Sequence, residues 1–171
     1  MLKPPINEKD HLEGDPKASI ELVEYGDYEC PHCGRAYGII KNIQHQLGKD
    51  LRFYFRNFPL SEIHPHATAA AIAAEAAALQ DSFWPMHDII FENQEHLGIV
   101  HLVGYAKELG LDVDQFKKDL ESEALAAKVE KDFESGVRSG VNGTPTFYIN
   151  GEKYTGNWDQ LVLLPYLKQL L

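Results

Sequence analysis

The chain has 171 residues, 44% hydrophobic and 25% charged, which suits one folded domain able to bury a sizeable core. With 16 Lys and Arg against 26 Asp and Glu, its formal charge is -10. That excludes the basic face a nucleic-acid binder needs and argues against electrostatic docking onto anionic lipid. Only two cysteines are present, both in one tetrapeptide, which excludes a disulfide scaffold and a four-cysteine zinc site.

Residues 1–17 are polar, carry Pro4, Pro5 and Pro16, and are expected to form an extended arm. The first residues lack the apolar run of a secretory signal, and no stretch is apolar for long enough to span a bilayer. The expected location is cytoplasmic as written, or periplasmic or extracytoplasmic if a leader was removed. Ser19 to Tyr25 reads as a strand. Pro31 to Leu47 repeats its apolar residues with a helical period, and Gly48 stops it. Leu51 to Phe58 is aromatic, partly alternating, and reads as a second strand ended by Pro59.

Residues 62–128 change character. His64 to Leu79 holds nine alanines and reads as a closely packing helix. Three more helices are expected at Ser82 to Glu92, Val100 to Leu109 and Asp114 to Leu120, with Asp112 as N-cap of the last. Trp84, Met86, Ile89 and Ile90 are the expected apolar face of the second helix, and Phe83, Trp84 and Phe91 read as core. His87, His96 and His101 read as surface histidines. Glu123 to Ser139 is a longer helix. Thr146 to Ile149 and Glu152 to Thr155 flank Asn150-Gly151, a hairpin signal because both turn positions need positive φ. Asn157 is the expected N-cap of a last helix, with Leu161, Leu164, Leu167 and Leu171 on one side and a kink at Pro165. The order predicts an α/β fold: a mixed sheet with helices on both faces and an all-helical insertion.

Cys30-Pro31-His32-Cys33 follows the first strand and opens the first helix. Pro31 suits the first helical position, where its missing N–H is no loss. Cys30 then sits at the N-cap and Cys33 one turn on. A thiolate on Cys30 accepts from the N–H groups of His32 and Cys33, feels the helix dipole and has the His32 side chain beside it. The Cys30 pKa should therefore fall, while a protein-facing Cys33 should be harder to ionise. Stabilising the reduced thiolate predicts an oxidising couple. Half of a zinc site and a pair of inert thiols stand as alternatives. Zinc needs two more ligands, and His64 and His66, straddling Pro65, lack the spacing of a finger.

A second element, Gly143-Thr144-Pro145-Thr146, opens a late strand. Together, Cys-Pro-His-Cys at a strand–helix junction, Gly-Thr-Pro-Thr over a hundred residues later and the helical insertion resemble the DsbA-type thiol:disulfide oxidoreductases of the thioredoxin superfamily. The resemblance covers roughly residues 15–171. It implies a thioredoxin fold, with a core at 18–61 and 129–171 and the insertion at 62–128 between its βαβ and ββα halves. It implies Cys30 as nucleophile and Cys33 as resolving cysteine. Pro145 is implied as the cis-proline beside the disulfide, and Thr144 as backbone partner of an extended substrate. Glu24, six residues before Cys30, is implied as a buried acid that relays the Cys33 proton. Thr144 departs from the valine usual in DsbA itself. No cofactor beyond the cysteine pair and no metal is implied. The implied partners are protein or peptide thiols and a redox partner protein or glutathione. A cytosolic disulfide reductase or redox-stress thiol exchanger is the alternative within the class, and a non-catalytic thioredoxin-fold adaptor the alternative outside it. Asp27 and Glu29 are expected to acidify the approach and oppose the thiolate unless they point to solvent.

Overall fold

The computed structural model describes residues 1–171. Five strands, β1 (His11–Gly14), β2 (Ile20–Gly26), β3 (Leu51–Asn57), β4 (Thr146–Ile149) and β5 (Glu152–Tyr154), form one sheet in the order β1-β3-β2-β4-β5. β2 and β3 are parallel and the other neighbours antiparallel. A parallel pair needs a crossover, and helix α1 (Pro31–Leu47) supplies it. Asn150 and Gly151 both take positive φ, as the β4–β5 hairpin requires.

Successive strand residues point to opposite faces. On β2, Ile20 and Leu22 enter the larger core with Ala36, Ile40 and Ile43 of α1, and Leu163 and Leu167 of α7 (Gln160–Lys168). Val23 and Tyr25 enter a smaller core with Leu2, Phe58 and Val141. Glu24 has the parity of Leu22, so it points into the larger core and is buried there.

The insertion contains α2 (Ala67–Ala78), α3 (Phe83–Phe91), α4 (Ile99–Glu108) and α5 (Val113–Asp119), and α6 (Glu123–Ser139) follows. Asp112 caps α5 as expected, accepting the Gln115 N–H. The alanines of α2 are buried nearly all round, and their small side chains let neighbouring helices approach. α6 is continuous, so the expected boundary at 128/129 falls inside a helix. Gly136 of α6 lies against the smaller core, where a Cβ would meet the Phe58 ring at 2.6 Å.

Three expectations change. Residues 1–17 are not a free arm: they supply β1 and are fastened to the body. Arg56 grips Asp10 through two 2.8 Å bonds and also donates to the carbonyls of Pro4 and Pro5. The last helix starts at Asp159, whose carboxylate accepts the Leu161 N–H, while Asn157 caps Asp159 one step earlier. Leu167 faces inward as expected, Leu163 joins it in place of Leu161, and Leu161 is 84% exposed. His87 is not a surface histidine. It is buried among Tyr28, Phe55, Trp84 and Phe91, and burial pushes its pKa down. The helix start at Phe83 places His87 on the same face as Phe83, Ile90 and Phe91.

Between β1, β3, α2 and α6 lies a buried polar cluster. Glu75 accepts from His11 at 2.9 Å and from the Asn57 amide at 3.0 Å, and faces Lys128 at 3.4 Å. Asp132 accepts from Lys128 at 2.8 Å and from Asn57 through both backbone and side chain. Lys128 is the shared cation of two carboxylates. Removing it leaves both under-compensated. Lys128→Met is expected to lower unfolding free energy by about 2 kcal/mol in urea titration. An unchanged midpoint and slope refute this role.

Candidate active site

The site is built where β2 ends and α1 begins. A tight turn returns the Cys30 N–H to the Asp27 carbonyl at 3.1 Å, and Pro31 occupies the first helical position. Cys30 is therefore the N-cap residue, in extended conformation, and Cys33 lies one turn into the helix. Both are reduced. Cys30 is 4% exposed and Cys33 has no exposed surface.

The two thiols are pushed in opposite directions. The Cys30 pKa falls from the ordinary 9.0 to about 5. The main cause is the hydrogen bond from the Cys33 thiol; partial burial opposes it, and Thr144 with the N–H groups of Cys33 and His32 assists. The Thr144 hydroxyl oxygen is buried with no other partner, so it is free to turn toward the sulfur. In the neutral dithiol, Cys30 Sγ donates to the Thr144 carbonyl at 3.7 Å. His32 itself is exposed and contributes through its backbone. Burial raises Cys33 well above its ordinary value, and the Cys30 hydrogen bond and the Glu24 charge add to that.

Glu24 lies on the core side of β2, and its carboxyl is pushed up to about 8 by burial first and the Cys30 charge second. One of its oxygens has no hydrogen-bond partner. No Lys, Arg or His pairs with it. A carboxyl placed this way changes protonation near neutral pH, as proton transfer requires. The Gly143–Thr146 loop comes from the far end of the chain and enters β4 beside Tyr25. The Thr144–Pro145 peptide is cis. The structure thus brings Glu24, Cys30, Cys33 and Thr144 together, with Pro31 and Pro145 holding the two backbone segments.

Two features escape the sequence reading. Asp27 and Glu29 do not point to solvent: Asp27 Oδ2 meets His64 Nδ1 at 2.7 Å, and Glu29 Oε2 meets His66 Nδ1 at 2.8 Å. The matching two-residue spacings, Asp-x-Glu and His-x-His, were the available signal. Gln94, just after α3, donates from Nε2 to the carbonyls of Tyr28 and Cys30, each at 2.9 Å. Gly34 leaves room for it, since a Cβ there would lie 2.0 Å from Gln94 Oε1. Tyr28, between Asp27 and Glu29, is buried and packs on Phe55 and Phe91 beneath the turn. No three His, Cys, Asp or Glu side chains cluster as a metal site.

A family model described as Thioredoxin matches residues 6–168. The fold is similar to oxidised BdbD from Bacillus subtilis, with TM-score 0.86 and 27% identity, covering 97% of this chain and 95% of that one. It is also similar to the thiol-disulfide exchange protein alpha-DsbA2 from Wolbachia pipientis. That likeness has TM-score 0.84 and 21% identity, covers 96% and 89% of the two chains, and speaks for the fold. Among curated relatives, the Na(+)/H(+) antiporter NhaA of Herminiimonas arsenicoxydans is 45% identical over 160 residues, 93% of this chain. The chain spans only 25% of that relative.

Two titrations test the site. Thiolate absorbance should rise with a midpoint near pH 5; a midpoint at the ordinary thiol value refutes the assignment. Glu24 has its folded pKa raised from 4.5 to about 8, so between those values the folded state holds a proton the unfolded state has released. Its contribution to stability therefore falls as pH rises through that window. Glu24→Gln should gain stability over the wild type progressively across it, measured by denaturation at several pH values. A constant difference refutes the shift.

Proposed function

We propose that this chain, which belongs to the thioredoxin family and is an oxidoreductase of the DsbA type, exchanges dithiol and disulfide with protein or peptide thiols through Cys30 and Cys33. The observation that carries the reading is the opposite tuning of two sulfurs one turn apart, with Cys30 at about 5 and Cys33 far above it. At neutral pH one is a ready nucleophile and leaving group, and the other holds its proton until it is needed.

In the reducing direction the Cys30 thiolate attacks one sulfur of a substrate disulfide. That S–S bond breaks, and the departing substrate sulfur leaves as a thiolate and takes a proton from solvent. With Cys30 held in the mixed disulfide, the thiolate charge that helps keep Glu24 protonated is gone; ionised Glu24 then takes the Cys33 proton, and Cys33 attacks Cys30 Sγ. The Cys30–Cys33 bond forms, and the second substrate sulfur leaves. The substrate gains two electrons and the enzyme pair loses them. Run backwards, the same steps oxidise a substrate dithiol. Thr144 offers backbone to an extended substrate, with Pro145 shaping the loop, so that recognition tolerates sequence variation.

The stabilised Cys30 thiolate favours the reduced form and makes the couple oxidising, at ~1.4 kcal/mol for each ~30 mV. We place it in the oxidising direction, in a compartment where disulfides persist, with a redox partner protein or glutathione resetting it. In reducing cytosol the same atoms act as a reductase. The antiporter name of the relatives is not carried over: the match covers a quarter of their length, and no helix here is long and apolar enough to cross a membrane.

Cys30→Ser should abolish insulin reduction and disulfide transfer to a reduced peptide. Retained exchange overturns the assignment, and substrate binding with no exchange by the wild type favours a non-catalytic adaptor. Glutathione titration should give a potential above the roughly -270 mV of thioredoxin. A value that low removes the oxidising direction.

A further inference from the structure

The cysteine turn is gripped from outside by the segment between β3 and α2. His64 and His66 flank Pro65 there, and meet Asp27 and Glu29, which flank Tyr28. The pairs differ in burial. His66 is half exposed, and a solvated pair of that kind contributes little. In the inner pair the Asp27 side chain is 0% exposed and His64 18%. A carboxylate only accepts, so Nδ1 of His64 carries the hydrogen in this pair.

Asp27 touches both cysteines through its backbone. Its carbonyl accepts the Cys30 N–H at 3.1 Å, and its own N–H points at Cys33 Sγ at 3.4 Å. Its side chain holds that backbone still. Oδ1 accepts the Glu29 N–H at 2.8 Å, and Oδ2 accepts the Leu60 N–H at 3.0 Å as well as His64. His64 is the one side chain bonded to this carboxylate, and it approaches from the insertion side of the active-site turn.

We propose that His64 is a positioning residue for the exchange step at Cys33: by holding the Asp27 carboxylate it keeps the Asp27 N–H directed at the Cys33 sulfur while charge gathers there. This deepens the thiol-exchange reading above and rests on it. In the resolving step the Cys33 proton passes to Glu24, the Cys33–Cys30 bond forms, and the bond from Cys30 to the substrate sulfur breaks. The substrate sulfur leaves as a thiolate. In reverse, Cys33 is the leaving thiolate. Either way Cys33 Sγ carries negative charge at the transition state. It has no exposed surface, so water cannot replace a misdirected donor. A donor already in place contributes more than one that must reorient.

The test is stopped-flow reaction of the reduced protein with 5,5'-dithiobis(2-nitrobenzoate). The first equivalent of nitrothiolate reports capture by Cys30 and the second reports resolution by Cys33. His64→Ala should leave the first phase unchanged and slow the second about tenfold, equivalent to ~1.4 kcal/mol. His64→Asn, whose amide N–H can occupy the Nδ1 position, should restore most of the second phase. Should the alanine variant not fold, the contrast of His64→Asn with His64→Gln carries the test, because the longer amide overshoots Oδ2. An unchanged second phase, or equal slowing of both phases, overturns the proposal. A wild type that releases no second equivalent overturns the exchange reading itself.

Discussion

Cys30 and Cys33 are one helical turn apart, and the molecule keeps one at a helix start and the other in its interior. That contrast in environment is what the remaining structure serves. The first turn of α1 supplies unpaired N–H groups at Cys30, because no preceding turn exists to accept them. The same helix, continuing inward, carries Cys33 against the sheet, where desolvation opposes its thiolate. Glu24 reaches the same dry region from β2, and its carboxyl holds a proton up to about pH 8. A thiol that ionises only during exchange and an acid that titrates near neutrality are matched for proton transfer.

Keeping that region dry and fixed is the work of the insertion. It touches the active-site turn from two directions: His64 and His66 bind the carboxylates before Cys30, and Gln94 binds two carbonyls on the other side. Beneath, Phe55, Phe91 and the buried His87 pack around Tyr28. The insertion is in turn anchored to the sheet through Glu75, Asn57, Asp132 and Lys128, whose mutual bonds tie α2 and α6 to the end of β3. The helical block is therefore part of the site's support rather than an appendage. The chain's acidity also has a local meaning: Asp27 and Glu29, the acids nearest Cys30 in sequence, are each occupied by a histidine, so they do not face the thiolate unpaired.

Much of this was legible along the chain. The strand–helix–strand opening follows from apolar period and stop signals, and α6 runs from Glu123 to Ser139 as its pattern implies. The Asn150-Gly151 hairpin was legible because positive φ is a local demand. The misses share one cause. His87 reads as a polar residue with no motif, yet its face of α3 is buried by Tyr28, Tyr37 and Phe55, which come from three other segments. The start of α7 moved two residues because Asn157 and Asp159 are both competent caps, and packing of Leu163 and Leu167 chose between them. β1 was hidden in a proline-bearing segment because an edge strand is defined by its partner, β3, as much as by its own residues.

The sequence by itself determined the reactive pair, its order along the helix and the direction in which Cys30 is tuned, because these depend on residues within one helical turn. Tertiary structure decided everything that depends on burial or on a distant partner. Thr144 meets Cys30 across 114 residues and His64 meets Asp27 across 37. Whether Asp27 repels the thiolate or holds its neighbour in place turns on that second contact. The charge is the same in both cases, and only the fold supplies the partner and excludes the water.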